Sequence, residues 1–136
     1  MKLFLGLLLI IPMSHYGQYQ LEVHVEGVEN SIGIIQVALF NSESGFLKSD
    51  HAYKLSSVPA NAGTTRVQIN NLPKGTYALA IFHDLNANRQ LDTNWIGIPK
   101  EPMGFSNAHV KAFGPPGFEE CRLELQRDMV ISVQLE

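Results

Sequence analysis

The stretch from Thr65 to His83, TRVQINNLPKGTYALAIFH, decides the fold. On each side of its centre apolar residues occupy every second position, which is the side-chain period of a β-strand. Between the two runs, Pro73 presets its own φ angle and Gly75 accepts a positive one, so this segment is typical of a tight reversal. The stretch therefore predicts two strands joined by a short turn.

The same period of two recurs along most of the remaining chain. Residues 34–40 are apolar on both parities, which is typical of a strand covered on both faces. No window outside the first residues shows a helical period, and about seven short strands at this spacing favour an all-β, antiparallel β-sandwich of the immunoglobulin-like kind with one long ordered loop. The last two strands are expected to form a hairpin around Arg127 and Asp128. The further predicted strands are residues 19–28, 34–40, 53–57 (ended by Pro59), 121–125 and 129–135.

Length and composition limit the function classes. The chain has 136 residues and a formal net charge of -3, so it fits one domain and lacks the broad basic surface of a nucleic-acid-binding protein. A content of 45% hydrophobic and 17% charged residues is not typical of a disordered chain. The single cysteine excludes an internal disulfide, and no CxxC or HExxH motif for zinc is present. Nucleic acid is therefore not an expected partner.

The first residues have the pattern of a secretory signal peptide. Lys2 precedes an apolar run over residues 3–11, and the small residue Gly17 follows at a distance suited to cleavage. The run is too short to cross about 30 Å of hydrocarbon as a helix. We expect residues 1–17 to be a signal peptide and residues 18–136 a single exported domain without a membrane span, periplasmic or extracellular. The alternative is that the run forms a buried first helix.

Residues 84–120 are rich in Asn, Gly and Pro and interrupt the strand period. Loops of this length in a compact domain are usually functional or carry their own local order. The opening letters DLNANRQLD place an oxygen-bearing side chain at every second position, which suits Ca²⁺ and its six to eight oxygen ligands. The candidate calcium ligands are Asp84, Asn86, Asn88, Gln90 and Asp92.

Two features predict weak calcium affinity. Arg89 stands where an EF-hand type of loop has glycine, and Trp95 stands where it has a bidentate glutamate. Only two carboxylates face the dication, and affinity follows ligand charge. The alternative is an Asx-rich loop whose side chains cap their own backbone.

Further side chains of the same segment could face a partner. Aromatic rings give rigid contact area for a sugar or a peptide; the alternative is a hydrophobic cluster that holds the loop on the sandwich. His83 could form a metal site or an acid–base pair with neighbouring carboxylates, or it could order the loop through hydrogen bonds. The candidate partner-face residues are His83, Trp95, Glu101, Phe105, Asn107, His109 and Phe118.

The segment also carries a resemblance. The run from His83 to Asn107 matches the pattern HDxNxNxxLDxNxxGxPxExxGFSN at each fixed position, and with the VALFN and LPKGTYA runs upstream it resembles a family of small exported bacterial proteins catalogued only as a domain of unknown function. The LPKGTYA turn with the DxNxN run is similar, over a shorter stretch, to transthyretin-like and collagen-adhesin B-type modules. That second resemblance implies a transthyretin-like β-sandwich and implies nothing about activity.

Three function classes stay open at this point. The first is a non-enzymatic binding or accessory module with a weak calcium-stabilised loop, whose partner is a protein or carbohydrate of the cell envelope. The second is a metal- or carboxylate-dependent enzyme that uses His83, Asp84, Glu101 and His109. The third is a purely structural envelope protein.

Overall fold

The computed structural model describes residues 17–136, so the expected signal peptide lies outside the described residues apart from Gly17. Within the described part, no helix has the length and apolar content needed to cross a membrane. The elements are β1 (Gln18–Val28), β2 (Ile34–Phe40), a one-turn 3-10 helix (Ser49–His51), β3 (Lys54–Pro59), β4 (Gly63–Pro73), β5 (Gly75–Asp84), β6 (Met103–Phe105), the helical turn α1 (Phe118–Cys121), β7 (Leu123–Leu125) and β8 (Met129–Gln134).

The strands form two sheets packed face to face. The first sheet has the order β4-β1-β8, and the second has the order β3-β2-β5-β6, with β7 also paired to β5. All pairings are antiparallel except that of β1 with β8, which is parallel. The prediction of an all-β sandwich is confirmed.

The main core lies between the two sheets and follows from the period of two. Every second residue of β1, β2 and β5 points into it, because successive side chains of a strand point to opposite faces. The fully buried members from these three strands are Leu21, Val23, Val25, Ile35, Val37, Leu39, Leu79 and Ile81.

The reversal at Pro73 carries the chain from one sheet to the other. β4 pairs with β1 in the first sheet, whereas β5 pairs with β2 in the second. The buried Tyr77 donates a hydrogen bond from its hydroxyl to the carbonyl oxygen of Pro73 at 2.6 Å. A tyrosine that bonds back to the corner in this way fixes the crossover between the sheets of Greek-key sandwiches.

A second apolar cluster covers part of the outer face of the second sheet. Phe40, Ala78 and Phe105 of the sheet pack against Phe118 and Cys121. The ring of Phe46 meets the rings of Phe40 and Phe118 edge to face, at centroid distances of 5.2 and 5.6 Å. The inner face of β2 is buried in the main core, whereas its outer face is buried only at Phe40 and is partly open at Ala38. The prediction of a strand covered on both faces therefore holds only for the end of β2.

The predicted hairpin of residues 121–125 and 129–135 is wrong. Strand β7 pairs with the start of β5 in the second sheet, and β8 crosses to the first sheet and pairs with β1. At the crossing, a carboxylate oxygen of Asp128 accepts the Gln20 N–H at 2.9 Å. The alternating sequence shows only that each strand has one apolar face. In a sandwich two such strands can belong to different sheets and still bury their apolar faces in the same core.

Strand β6 passes very close to the end of β8. The N–H groups of Met103 and Glu136 each donate to the other residue's carbonyl oxygen, at 3.2 and 2.9 Å. A Cβ atom on Gly104 would lie 2.5 Å from the Gln134 carbonyl oxygen and 2.9 Å from Val133 Cγ1. Glycine is required here because the two backbones are in contact.

We expect Gly104→Ala to lower the free energy of unfolding by about 1–3 kcal/mol, since the added methyl group must push β6 away from β8. Urea denaturation measures the change. Gly75→Ala is the matched control, because its Cβ would approach nothing closer than the Tyr77 ring at 3.6 Å. Equal stability of the two variants would contradict the close approach.

Candidate functional site

Asp84, at the end of β5, shapes the loop that follows it. The residue is fully buried, and its Oδ1 and Oδ2 accept the N–H groups of Asn88 at 3.2 Å and Arg89 at 2.6 Å. Ala87 and Arg89 both have left-handed backbone conformations, with φ of 54° and 63°. The carboxylate therefore curls the chain around itself, at the expense of backbone strain in two non-glycine residues.

The predicted calcium ligands lie in one hydrogen-bond network. Asn86 and Asn88 donate from Nδ2 to the two carboxylate oxygens of Asp92, at 2.6 and 3.0 Å. Their own Oδ1 atoms accept the N–H groups of Asn88 at 3.2 Å and Gln90 at 2.9 Å. Four of the five side chains thus cap or cross-link the loop, and Gln90 takes part through its backbone. The Asx-capped loop foreseen as the alternative is present in these hydrogen bonds.

The side chains of the loop limit how calcium could be coordinated there. Among residues 17–136, no group of three or more His, Cys, Asp or Glu side chains is placed to hold a metal ion. Amide and carbonyl oxygens would have to complete the coordination, and Asn86 and Asn88 present nitrogen to Asp92 here. If both amide groups turned over, their oxygen atoms would face the Asp92 carboxylate in place of the nitrogen atoms. Such a site would therefore require Asn86 and Asn88 to give up their caps on the N–H groups of Asn88 and Gln90.

Glu101 fastens both ends of the loop. Its side chain is buried, and its Oε1 and Oε2 accept the N–H groups of Leu85 at 3.0 Å and Asp92 at 3.1 Å. The Lys100 N–H donates to the carbonyl oxygen of Asp92 at 2.8 Å, which holds the two sides of the loop together. Glu101 therefore acts here as a clamp on the backbone and not as part of an exposed face.

His83 points into the end of the sandwich. Its Nε2 lies 2.6 Å from the carbonyl oxygen of Ile32, and since a carbonyl only accepts, Nε2 must carry the proton. Its Nδ1 is buried without a hydrogen-bond partner among residues 17–136. The ring joins the turn before β2 to β5 and is removed from the loop surface.

The residues after β6 anchor the segment to the sheet. Ser106 is buried; its Oγ accepts the Leu79 N–H at 2.9 Å and donates to the Cys121 carbonyl oxygen at 2.5 Å. Asn107, with a φ of 55°, donates from Nδ2 to the Arg122 carbonyl oxygen at 2.8 Å. Sequence reasoning missed these anchoring contacts, because spacing does not show that a polar side chain will bridge backbone groups distant along the chain.

The potential nucleophile Cys121 is packed away. Its side chain is buried in the second cluster, and burial, followed by the nearby charge of Glu120, raises the pKa of the thiol to about 11. The thiol therefore stays protonated at neutral pH, and a protonated thiol is a poor nucleophile.

The residues proposed for an enzyme have separate partners. His109 is exposed, and its Nδ1 lies 2.8 Å from Glu136 Oε1. That contact, followed by the Val110 N–H bond to Glu136, lowers the pKa of the Glu136 carboxyl. Within residues 17–136, no hydrogen bond joins any two of the four candidates, which are His83, Asp84, Glu101 and His109.

The seven candidate partner-face residues do not share one exposed face. Phe105 and Phe118 belong to the second cluster, so for them the alternative of a packing role holds. His83 and Glu101 are also buried, whereas Asn107 and His109 are exposed. Trp95 is almost fully exposed, at 95%. Sequence cannot separate these cases, because the sheet face that each ring meets depends on the path of the loop.

The segment forms one wall of a groove over the remaining outer face of the second sheet. The groove has a volume of about 820 Å³, and its lining is mostly apolar. Its floor includes Ala38, Leu55, Ala80 and Phe82, and Gln36 lies among them. The Oε1 of Gln36 accepts the Ser57 hydroxyl, while its Nε2 is buried without an acceptor in the described part of the chain. Parts of the segment, residues 89–91, 97–99, 110–112 and 114–115, line the groove from the other side.

Residues 23–132 match the sequence pattern of the family described as an uncharacterized protein conserved in bacteria, DUF2141. The chain belongs to this family. The match includes strands of both sheets and the whole 84–120 segment, so the groove lining of this DUF2141 protein, apart from Glu136, lies within the matched residues. No curated protein and no solved structure gives a significant match.

We expect Glu101→Gln to lower the free energy of unfolding by about 1–3 kcal/mol, because one carboxylate oxygen becomes an NH₂ group that opposes a backbone N–H donor. Urea denaturation followed by far-ultraviolet circular dichroism reports the change. Glu119→Gln is the control, since Glu119 is exposed and accepts no backbone N–H. Identical midpoints for the two variants would show that the clamp is not needed.

Proposed function

We propose that this DUF2141 protein is an exported, non-enzymatic binding module that holds a small ligand in the groove between the second sheet and the 84–120 segment. The observation that carries the proposal is the groove itself. Its volume of about 820 Å³ falls in the range of small-molecule sites, roughly 300–1,000 Å³. Such sites are typically apolar with a few placed polar groups, and this lining has that composition.

Two features of the lining favour ligand binding. Leu55 and Ile98 remain 64% and 53% exposed, so a ligand that covers them removes apolar surface from water. Among residues 17–136, the Nε2 of the groove residue Gln36 is a buried donor without an acceptor. An unsatisfied buried donor is costly, and an oxygen atom of a ligand would satisfy it.

The placement of the acidic groups supports binding over catalysis. Asp84 and Glu101 each use both carboxylate oxygens to accept backbone N–H groups. A general base must lie within reach of the proton that it abstracts from a substrate. These two carboxylates are instead committed to the shape of the groove wall.

Leu55→Asn is expected to weaken binding of the neutral fluorophore Nile red at least several-fold, because it removes apolar surface from the groove. Fluorescence titration of the purified protein measures the dissociation constant. Val130→Asn is the matched control, since Val130 is 61% exposed on β8, away from the groove. Equal loss in both variants, or no binding by the unaltered protein, would contradict a ligand site in the groove.

Weak calcium binding at the Asp84–Asp92 loop is part of the same proposal. The supporting observation is that the side chains of Asp84, Asn86, Asn88 and Asp92 already share one curled loop. Calcium bound there would hold the groove wall, and an exported protein meets calcium at concentrations that weak sites require.

Calcium at a tenfold excess over its dissociation constant should stabilise the fold by about 1.4 kcal/mol, seen as a rise of a few degrees in Tm. The comparison is thermal melting in calcium, in magnesium and in chelator, with the rise expected in calcium alone. Asp92→Asn should abolish the rise, and Asp50→Asn, at an exposed acid of the 3-10 helix, should retain it. A Tm that is the same in calcium and chelator would leave the loop ordered by hydrogen bonds alone.

A further inference from the structure

We propose that the ligand of the groove is a single-chain alkyl carboxylate of medium length, with its carboxylate at Arg89 and Gln36 and its alkyl chain along Ala38 and Ala80. The inference rests on the proposed function, since it names the chemical class of ligand for the same groove. It is carried by the polarity gradient along the groove floor and by one uncompensated charge in the lining.

The strand register gives the floor a polar end and an apolar end. Gln36 pairs with Ser57 on one side and with Phe82 on the other. Two positions further along β2, Ala38 pairs with Leu55 and Ala80, so this part of the floor carries no polar side chain.

The apolar part continues to the end of β2. Phe40 and Leu47 line the groove there and belong to the second cluster. The four-residue step from Gln36 to Phe40 spans about 13 Å of strand. That length suits an extended alkyl chain of medium length, with its polar group beside Gln36.

Arg89 supplies the charge at the polar end. It follows Asp84, and the Asp84 end of β5 is the end at which Phe82 and Gln36 lie. Four charged side chains line the groove, and three have partners: Glu101 accepts two backbone N–H groups, Glu136 contacts His109, and Lys111 pairs with Glu120. Arg89 alone has no side-chain hydrogen bond or ion pair within residues 17–136, so the uncompensated charge favours an anion.

The backbone conformation of Arg89 also supports a ligand-binding role for this residue. Its φ of 63° is a left-handed conformation that glycine adopts without strain. A residue with a Cβ atom pays for this conformation, and strained positions of this kind concentrate at ligand sites. A bidentate guanidinium–carboxylate contact gives Arg89 a role that glycine could not fill.

The test is isothermal titration of the purified protein with decanoate, decanol and decyltrimethylammonium. We expect decanoate to bind most tightly. Arg89→Gln should weaken decanoate binding roughly tenfold, the loss typical of a charge-assisted contact, while decanol binding is unchanged. Arg66→Gln, an exposed arginine on β4 of the other sheet, is the matched charge control and should bind decanoate like the unaltered protein.

Arg89→Gly separates the side chain from the backbone. It should lose decanoate affinity as Arg89→Gln does while its urea midpoint is maintained, because glycine suits a positive φ. Ala87→Gly, at the neighbouring left-handed position, is the backbone control and should keep the affinity.

The outcomes separate the two proposals. Decanoate binding that is no tighter than decyltrimethylammonium binding, or that is unaffected by Arg89→Gln, overturns the carboxylate assignment. Nile red binding that depends on Leu55, together with no binding of any of the three decyl compounds, overturns the ligand class and leaves the groove as a site for another ligand. Absence of both Nile red and decyl binding overturns the ligand class and the proposed function together.

Discussion

The buried carboxylate of Glu101 is the constraint on which the groove depends. By accepting the N–H groups of Leu85 and Asp92 it closes a loop of eight residues against the end of β5. Each of those donors would otherwise be a buried or half-buried N–H without a partner, which costs free energy comparable to a lost hydrogen bond. The residues on either side of the clamp, Arg89 and Met103 among them, line the groove, so its shape follows from this contact.

The polar residues of the 84–120 segment fall into a consistent pattern. Asp84 and Asn88 accept backbone N–H groups of their own loop, and Ser106 and Asn107 bond to backbone groups near α1. A segment that runs over an apolar sheet face must satisfy its backbone without strand partners, and side-chain caps are the available means. The many Asn, Asp and Ser side chains of the segment therefore have a structural role as backbone caps, and this role requires no ligand.

The strand periods predicted the fold class and the buried faces of β1, β2 and β5, but the predicted cover on both faces of β2 is found only at Phe40. They did not predict the partners of β7 and β8, because an amphipathic strand carries no mark of which sheet edge it joins. The oxygen-rich loop was visible in the spacing from Asp84 to Asp92, since local caps depend on neighbours along the chain. The groove was not, because its lining residues are distant in sequence and become neighbours only through strand register and the return of the segment.

A segment held by its own hydrogen bonds also explains why apolar surface stays accessible. Flexible chain over the outer face of the second sheet would collapse onto Ala38, Leu55 and Ala80, since burial of apolar surface is favourable. The caps at Asp84 and the Glu101 clamp fix the backbone of the segment in one conformation. In this conformation the segment stands away from the second sheet, and the space between them is the groove. A wall ordered before the ligand arrives loses little further conformational entropy when the ligand binds, so the strain at Ala87 and Arg89 is consistent with a preorganised site.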